Sequence, residues 1–153
     1  MFSGCENITD FTFGKLNLTN LKRMAEIFSN YISLQKISFD NFNLSNAEDM
    51  CLLFYNCINL KKIKFSNFNP RNAENIYWMF SNCISITSID LNSLNTENVK
   101  DMKEMFYNCT NLEKITFSKN LKTSKVIYSE SQFTYCSSLE NLDLSSFESV
   151  EAM

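Results

Sequence analysis

Residues 79–104 read MFSNCISITSIDLNSLNTENVKDMKE, and residues 105–117 restart the same string as MFYNCTNLEKITF. Phe80 returns as Phe106, Cys83 as Cys109, Ile89 as Ile115 and Leu91 as Phe117, each 26 residues on. Followed outwards, the phenylalanine column runs Phe2, Phe28, Phe54, Phe80 and Phe106, then Phe133 after a step of 27. Cysteine keeps the beat three residues later at Cys5, Cys57, Cys83, Cys109 and Cys136, with Tyr31 in the second slot. A period of this length marks a solenoid, a stack of copies of one supersecondary unit.

Six units follow from this register: residues 1–26, 27–52, 53–78, 79–104, 105–131 and 132–153. Three apolar columns cross all of them. One is Ile8, Leu34, Leu60, Ile86, Leu112 and Leu139; the next is Phe11, Ile37, Ile63, Ile89, Ile115 and Leu142. The third is Phe13, Phe39, Phe65, Leu91, Phe117 and Leu144. The last two alternate with polar residues, as in Ile89-Asp90-Leu91, and this alternation predicts a short half-buried strand.

The period then changes. Val99, Met102, Met105 and Phe106 are spaced as one face of a helix, and Leu21, Met24, Ile27, Phe28 and Ala73, Ile76, Met79, Phe80 repeat the spacing. Asn20, Asn46, Asn72 and Asn98 stand where an N-cap would be. Gly4, Asn30, Asn56, Asn82 and Asn108 stand after Phe, where a chain leaving a helix often takes a positive φ. Each unit therefore predicts a short strand, a turn, a helix of about two turns and a second turn. The few apolar side chains of one unit cannot offset the entropy of ordering it, so stacking must supply the difference. Unit five inserts a residue before Leu121 and places Gln132 in an apolar column, while unit six loses two residues between Phe147 and Val150.

Composition narrows the function. A net charge of −3 gives no basic footprint for nucleic acid. No apolar run is long enough to cross a membrane. No unit at either end looks like a cap, so the chain reads as a segment of a longer array, whose open ends could associate with each other. There is no histidine, no glycine-rich phosphate loop and no paired-carboxylate constellation, so the expectation is a protein that is not an enzyme and carries no cofactor or metal.

Two surfaces stand out. Cys51 lies off the cysteine column, and with Leu52, Tyr77 and Trp78 it should form an apolar patch on the outer, helical side, with Tyr55 beside it. The rival reading is that Trp78 simply covers a neighbouring unit. On the strand face, Lys36, Lys61, Lys62 and Lys64 make a basic spot that could meet an acidic partner. Its rival is an ordinary solvated face whose charges deter edge aggregation. The cysteine column has two readings as well: buried free thiols acting as small hydrophobes, or disulfides between neighbours such as Cys57–Cys83. Four glycosylation sequons occur at Asn7, Asn17, Asn43 and Asn108, which matter only in a secreted eukaryotic chain.

Residues 79–102 and 105–117 also resemble the BspA-like leucine-rich-repeat surface proteins, and more closely the lipoprotein-associated repeat of bacterial surface proteins. The resemblance rests on M-F-x-x-C-x-x-L-x-x-L-x-L followed by N-V-x-x-M and covers essentially the whole chain. Tyr31 for cysteine, Pro70 in the pre-helix turn and the irregular units five and six depart from it. It implies an α/β solenoid, a right-handed leucine-rich-repeat-like array of strand-plus-helix units. Such arrays are often exported and surface-anchored and serve adhesion or host interaction; the family offers no catalytic residues to carry over. The expected function is thus non-catalytic binding of a protein or glycan ligand by a cell-surface or secreted protein, without nucleic acid and without membrane insertion by this segment. An intracellular, cytoplasmic scaffold with reduced thiols and a purely structural spacer are the alternatives.

Overall fold

The computed structural model describes residues 5–13, 20–40, 44–66, 68–119 and 121–147. Five short strands lie along them: β1 (Asp10–Thr12), β2 (Lys36–Ser38), β3 (Lys62–Lys64), β4 (Ser88–Leu91) and β5 (Lys114–Phe117). All pairings are parallel and in register with the repeat. Phe11 faces Ile37, which faces Ile63, in a three-stranded sheet, and Ile89 faces Ile115 in a two-stranded one. On the strand side the sixth unit pairs through an isolated bridge between Lys114 and Asn141. Slipping any strand by one residue would turn its inward apolar side chain to water, so the alternating pattern itself enforces the register.

Behind the strands the phenylalanine column forms a continuous stack. Phe28–Phe54, Phe54–Phe80, Phe80–Phe106 and Phe106–Phe133 have centroids 5.7, 5.6, 5.6 and 5.6 Å apart. Their rings lie within 10° of parallel. The strand-side column meets this stack edge-on: Phe39 packs against Phe54 at 5.9 Å and 82°, and Phe117 against Phe106 at 6.3 Å and 74°. Both geometries suit the ring quadrupoles, and together they join the apolar layers of adjacent units into one core.

The helices expected on the far side do not form: the described residues contain no α-helix. In their place is a ladder of turns. Met24, Glu26, Phe28 and Asn30 donate their N–H groups across to the carbonyls of Asp49, Cys51, Leu53 and Tyr55 at 2.7–3.1 Å. The N–H groups between them close local turns, Ile27 to the Met24 carbonyl, Ser29 to Glu26 and Tyr31 to Phe28. Isolated parallel bridges link Arg23 to Asp49, Asp49 to Asn75, Asn75 to Asp101 and Asp101 to Tyr128. An α-helix of two turns would satisfy few of its own end groups, whereas a stacked neighbour offers a partner to every second N–H. The inward residues Met102, Met105 and Phe106 are nevertheless all buried, because a chain of turns presents the same spacing over so short a stretch.

With no helix there is no N-cap, and one asparagine expected in that role does something else. Asn98 Nδ2 donates to the Arg71 carbonyl at 2.9 Å, tying one unit to the previous one. The expected positive φ is present at Asn30, Asn56, Asn82 and Asn108, between 58° and 63°; Gly4 lies outside the described residues. Asn56 donates to the Asn30 side chain at 2.9 Å, and Asn108 to Asn82 at 2.8 Å, so these residues also form rungs between units. A second left-handed column is new: Glu26, Leu52, Trp78, Glu104 and Ser131, between 52° and 62°. Left-handed backbone at two places four residues apart is incompatible with a helix.

The cysteines are free thiols, and their column has a polar role beside its packing role. Cys57, Cys83, Cys109 and Cys136 donate Sγ–H to the carbonyls of Phe28, Phe54, Phe80 and Phe106 at 3.0–3.2 Å. Tyr31, which fills the missing slot, is likewise buried.

Candidate recognition surfaces

The turn ladder brings the aromatic candidates together. Column by column, Cys51 is followed in the next units by Tyr77, Lys103 and Glu130, and Leu52 by Trp78, Glu104 and Ser131. The Leu52 N–H donates to the Tyr77 carbonyl at 2.9 Å, and the Trp78 N–H to the Lys103 carbonyl at 3.1 Å. Trp78 stacks on Tyr77 with centroids 4.9 Å apart at 25°, and on Tyr55, near the start of the same unit, at 5.2 Å and 14°. Leu52, Tyr55, Tyr77 and Trp78 are all half-buried. The indole Nε1 of Trp78 is buried without a hydrogen-bond partner.

Cys51 belongs beneath this platform and not to its surface, being only 9% exposed. Burial, aided by the Asp49 carboxylate, pushes its thiol up to about 12. An Asx turn shapes each rung: side-chain oxygens of Asp49, Asn75 and Asp101 accept from the N–H groups of Cys51, Tyr77 and Lys103 at 3.0–3.2 Å. These caps hold the two variable columns at a fixed pitch.

On the strand face the lysines divide into two pairs. Lys36 meets Asp10 at 3.6 Å and Lys64 meets Asp40 at 2.8 Å. Hydrogen bonds from Lys64, Ser66 and Ser38 hold the Asp40 carboxyl at about 2. Lys61 and Lys62 are exposed and have no carboxylate within ion-pair distance among the described residues. Lys62 also sits directly opposite Lys36 in the sheet register, an unfavourable like-charge pair. Half of the basic spot is therefore neutralised internally, and half is available.

A third apolar region is not apparent in the strand or turn patterns taken singly. Ile127, Tyr128 and Tyr135 are 64%, 51% and 63% exposed. Tyr135 packs edge-on against Tyr107 at 5.3 Å. The signal for it is positional: Tyr135 interrupts the asparagine column, and Tyr128 takes the place that Asp49, Asn75 and Asp101 hold elsewhere. A shallow concavity of about 500 Å³ lies on the strand side, between β5 and the sixth unit, lined by Glu113, Lys114, Ile115, Asn141, Leu142 and Asp143. Among the described residues no group of three His, Cys, Asp or Glu side chains is arranged to hold a metal ion, and no helix is long and apolar enough to cross a membrane.

Two solved structures share this architecture. A leucine rich cell surface protein of Faecalibacterium prausnitzii A2-165 matches with a TM-score of 0.59 and 21% identity over 92% of this chain and 34% of its own. A leucine-rich repeat protein of Bacteroides ovatus ATCC 8483 matches with a TM-score of 0.53 and 22% identity over 90% of this chain and 31% of its own. The fold is thus of the leucine-rich-repeat type, and the chain spans about a third of the length of either neighbour. No curated protein matches. Residues 1–118 match the family model described as "Mycoplasma protein of unknown function, DUF285", and the chain belongs to that family.

Proposed function

We propose that this chain is a non-catalytic recognition segment of a BspA-like, right-handed leucine-rich-repeat solenoid, displayed at the cell surface or secreted, that holds a protein or glycan ligand in adhesion. The observation that carries the reading is the division of labour between columns. Phe, Cys and Asn repeat from unit to unit and bond the stack together. The adjoining column changes from Glu26 to Leu52, Trp78, Glu104 and Ser131 on the same left-handed backbone. A constant scaffold that varies its outward residues suits recognition better than chemistry. The cell-surface description of the F. prausnitzii neighbour supports placing the chain outside the cell.

The six free thiols favour one alternative, a cytoplasmic scaffold. Labelling intact source cells with an impermeant antibody to the chain separates the two locations. For recognition itself, the chain is screened against extracellular-matrix proteins and a glycan array beside Trp78→Ala and Lys62→Glu variants of matched melting temperature. Binding lost in one variant supports the reading. Equal binding by all three chains would move the recognition surface elsewhere, and no binding by any of them would leave only a spacer.

A further inference from the structure

The turn face carries an electrostatic imbalance. Around the aromatic platform the turn columns hold the carboxylates of Glu26, Asp49, Asp101, Glu104 and Glu130 against the cations Arg23 and Lys103. Both cations are engaged, Arg23 with Asp49 at 3.5 Å and Lys103 with Glu104 at 3.8 Å. Asp101 and Glu130 have no cation within ion-pair distance among the described residues, and Oε2 of Glu130 is buried without a partner. The two stand one unit apart, because the Met102 N–H donates to the Tyr128 carbonyl and the Glu104 N–H to the Glu130 carbonyl, both at 2.9 Å.

We propose that the platform formed by Tyr55, Tyr77 and Trp78, with its acidic rim of Asp101, Glu104 and Glu130, docks an arginine-presenting segment of a partner protein. This rests on the recognition reading above and gives it a site and a ligand chemistry. A guanidinium is planar and weakly hydrated, stacks on Trp and Tyr faces, and offers forked donors to carboxylates. The platform supplies the faces and the rim supplies the acceptors.

Electrostatics supports the same direction. Burial raises the Tyr77 phenol first, and the nearby Glu104 and Asp101 carboxylates raise it further. Burial likewise lifts the Asp101 carboxyl, with Glu130 adding to it. A neutral sugar docked here could donate hydroxyl hydrogen bonds to the carboxylates but would leave their excess negative charge uncompensated. An arginine brings the cation that Asp101 and Glu130 lack and offsets the charge excess. An acidic ligand would meet repulsion.

Trp78 is the only tryptophan of the chain, so its fluorescence reports on this platform alone. The test titrates the intact chain with octa-arginine, octa-glutamate and maltoheptaose, following Trp78 emission and the heat of binding. Two charge-matched double variants accompany it: Asp101→Asn with Glu104→Gln on the rim, and Glu113→Gln with Glu140→Gln away from it. Asparagine already holds the Asp101 position at Asn75, and the Glu104 position accepts Leu and Trp, so the rim variant should fold.

The expected result is a saturable change in Trp78 emission with octa-arginine. The rim variant should weaken it by about tenfold and the remote variant by less than about twofold. Equal weakening in both variants would mean diffuse charge attraction and would overturn the inference. A response to maltoheptaose or octa-glutamate but not octa-arginine would also overturn it while leaving the recognition reading standing. Silence toward all three probes would end the proposal for this platform, and the independent ligand screen would then decide the recognition reading.

Discussion

The thiol of Cys83 donates to the carbonyl of Phe54 at 3.2 Å, reaching from one unit into the one before it. Cys83 is fully buried, so this bond and its packing act together. Cys83→Ala removes the sulfur and leaves the carbonyl without that donor, and should destabilise the chain by about 1–3 kcal/mol. Urea unfolding of the variant against the parent measures it. An unchanged midpoint would show that the thiol–carbonyl rung contributes nothing.

The same column predicts a loss of stability in alkali. Burial raises the thiols of Cys57, Cys83 and Cys109 above their ordinary value, Cys57 to about 12. In the unfolded chain they ionise near pH ~8.5, so above that pH the unfolded state binds fewer protons than the folded one. Their contribution is complete below pH ~8.5 and declines as pH rises towards the folded values, at about 1.4 kcal/mol per pH unit for each thiol. Three such thiols together give roughly 4 kcal/mol per pH unit, a large share of the stability of a typical domain. Melting temperature measured from pH 7 to pH 11 should hold level at first and fall steeply above pH ~8.5. A flat profile would contradict the burial of this column.

Asn56 tests the left-handed rungs. Its φ is 58°, and its side chain donates to Asn30 at 2.9 Å. Asn56→Ala keeps a Cβ in the left-handed region without the short polar side chain that lets asparagine tolerate it, and deletes the rung, for a loss of about 1–3 kcal/mol. Asn56→Gly keeps the backbone comfortable and removes only the side-chain bond, so it should lose less. Thermal melts of the pair check the order. Reversal would mean that backbone conformation is not what selects asparagine here.

The 26-residue register, the core columns and the left-handed asparagines are legible in the sequence because each depends on one residue type at one spacing. The turn ladder is not. Val99, Met102, Met105 and Phe106 fit a helix and a chain of turns equally well, and the deciding bonds run to a neighbouring unit, as from Phe80 N–H to the Met105 carbonyl at 2.9 Å. The second left-handed column is hidden for another reason: Glu26, Leu52, Trp78, Glu104 and Ser131 include no Gly or Asn to announce a positive φ. At the candidate surface, the grouping of Tyr55, Tyr77 and Trp78 follows from the register. The burial of Cys51 does not, because it depends on the turn geometry. Far-UV circular dichroism checks the ladder directly: the spectrum should lack the helical double minimum, which a strand-plus-helix array would show.

Gln132 marks where a unit departs from its own pattern. It is 4% exposed, and neither Oε1 nor Nε2 has a hydrogen-bond partner. The equivalent residues Leu53, Met79 and Met105 are apolar and fully buried. A buried amide with both ends unsatisfied forfeits its hydration without return, whereas an unbranched apolar side chain of similar length fits the same column. Gln132→Met should therefore stabilise the chain by about 1–3 kcal/mol, raising the urea midpoint with an unchanged denaturant slope. The backbone of Gln132 accepts from the Phe106 N–H at 3.0 Å and is untouched by the change. A destabilised variant would mean that the Gln132 amide meets a polar group in solution and that the sixth unit is organised around it.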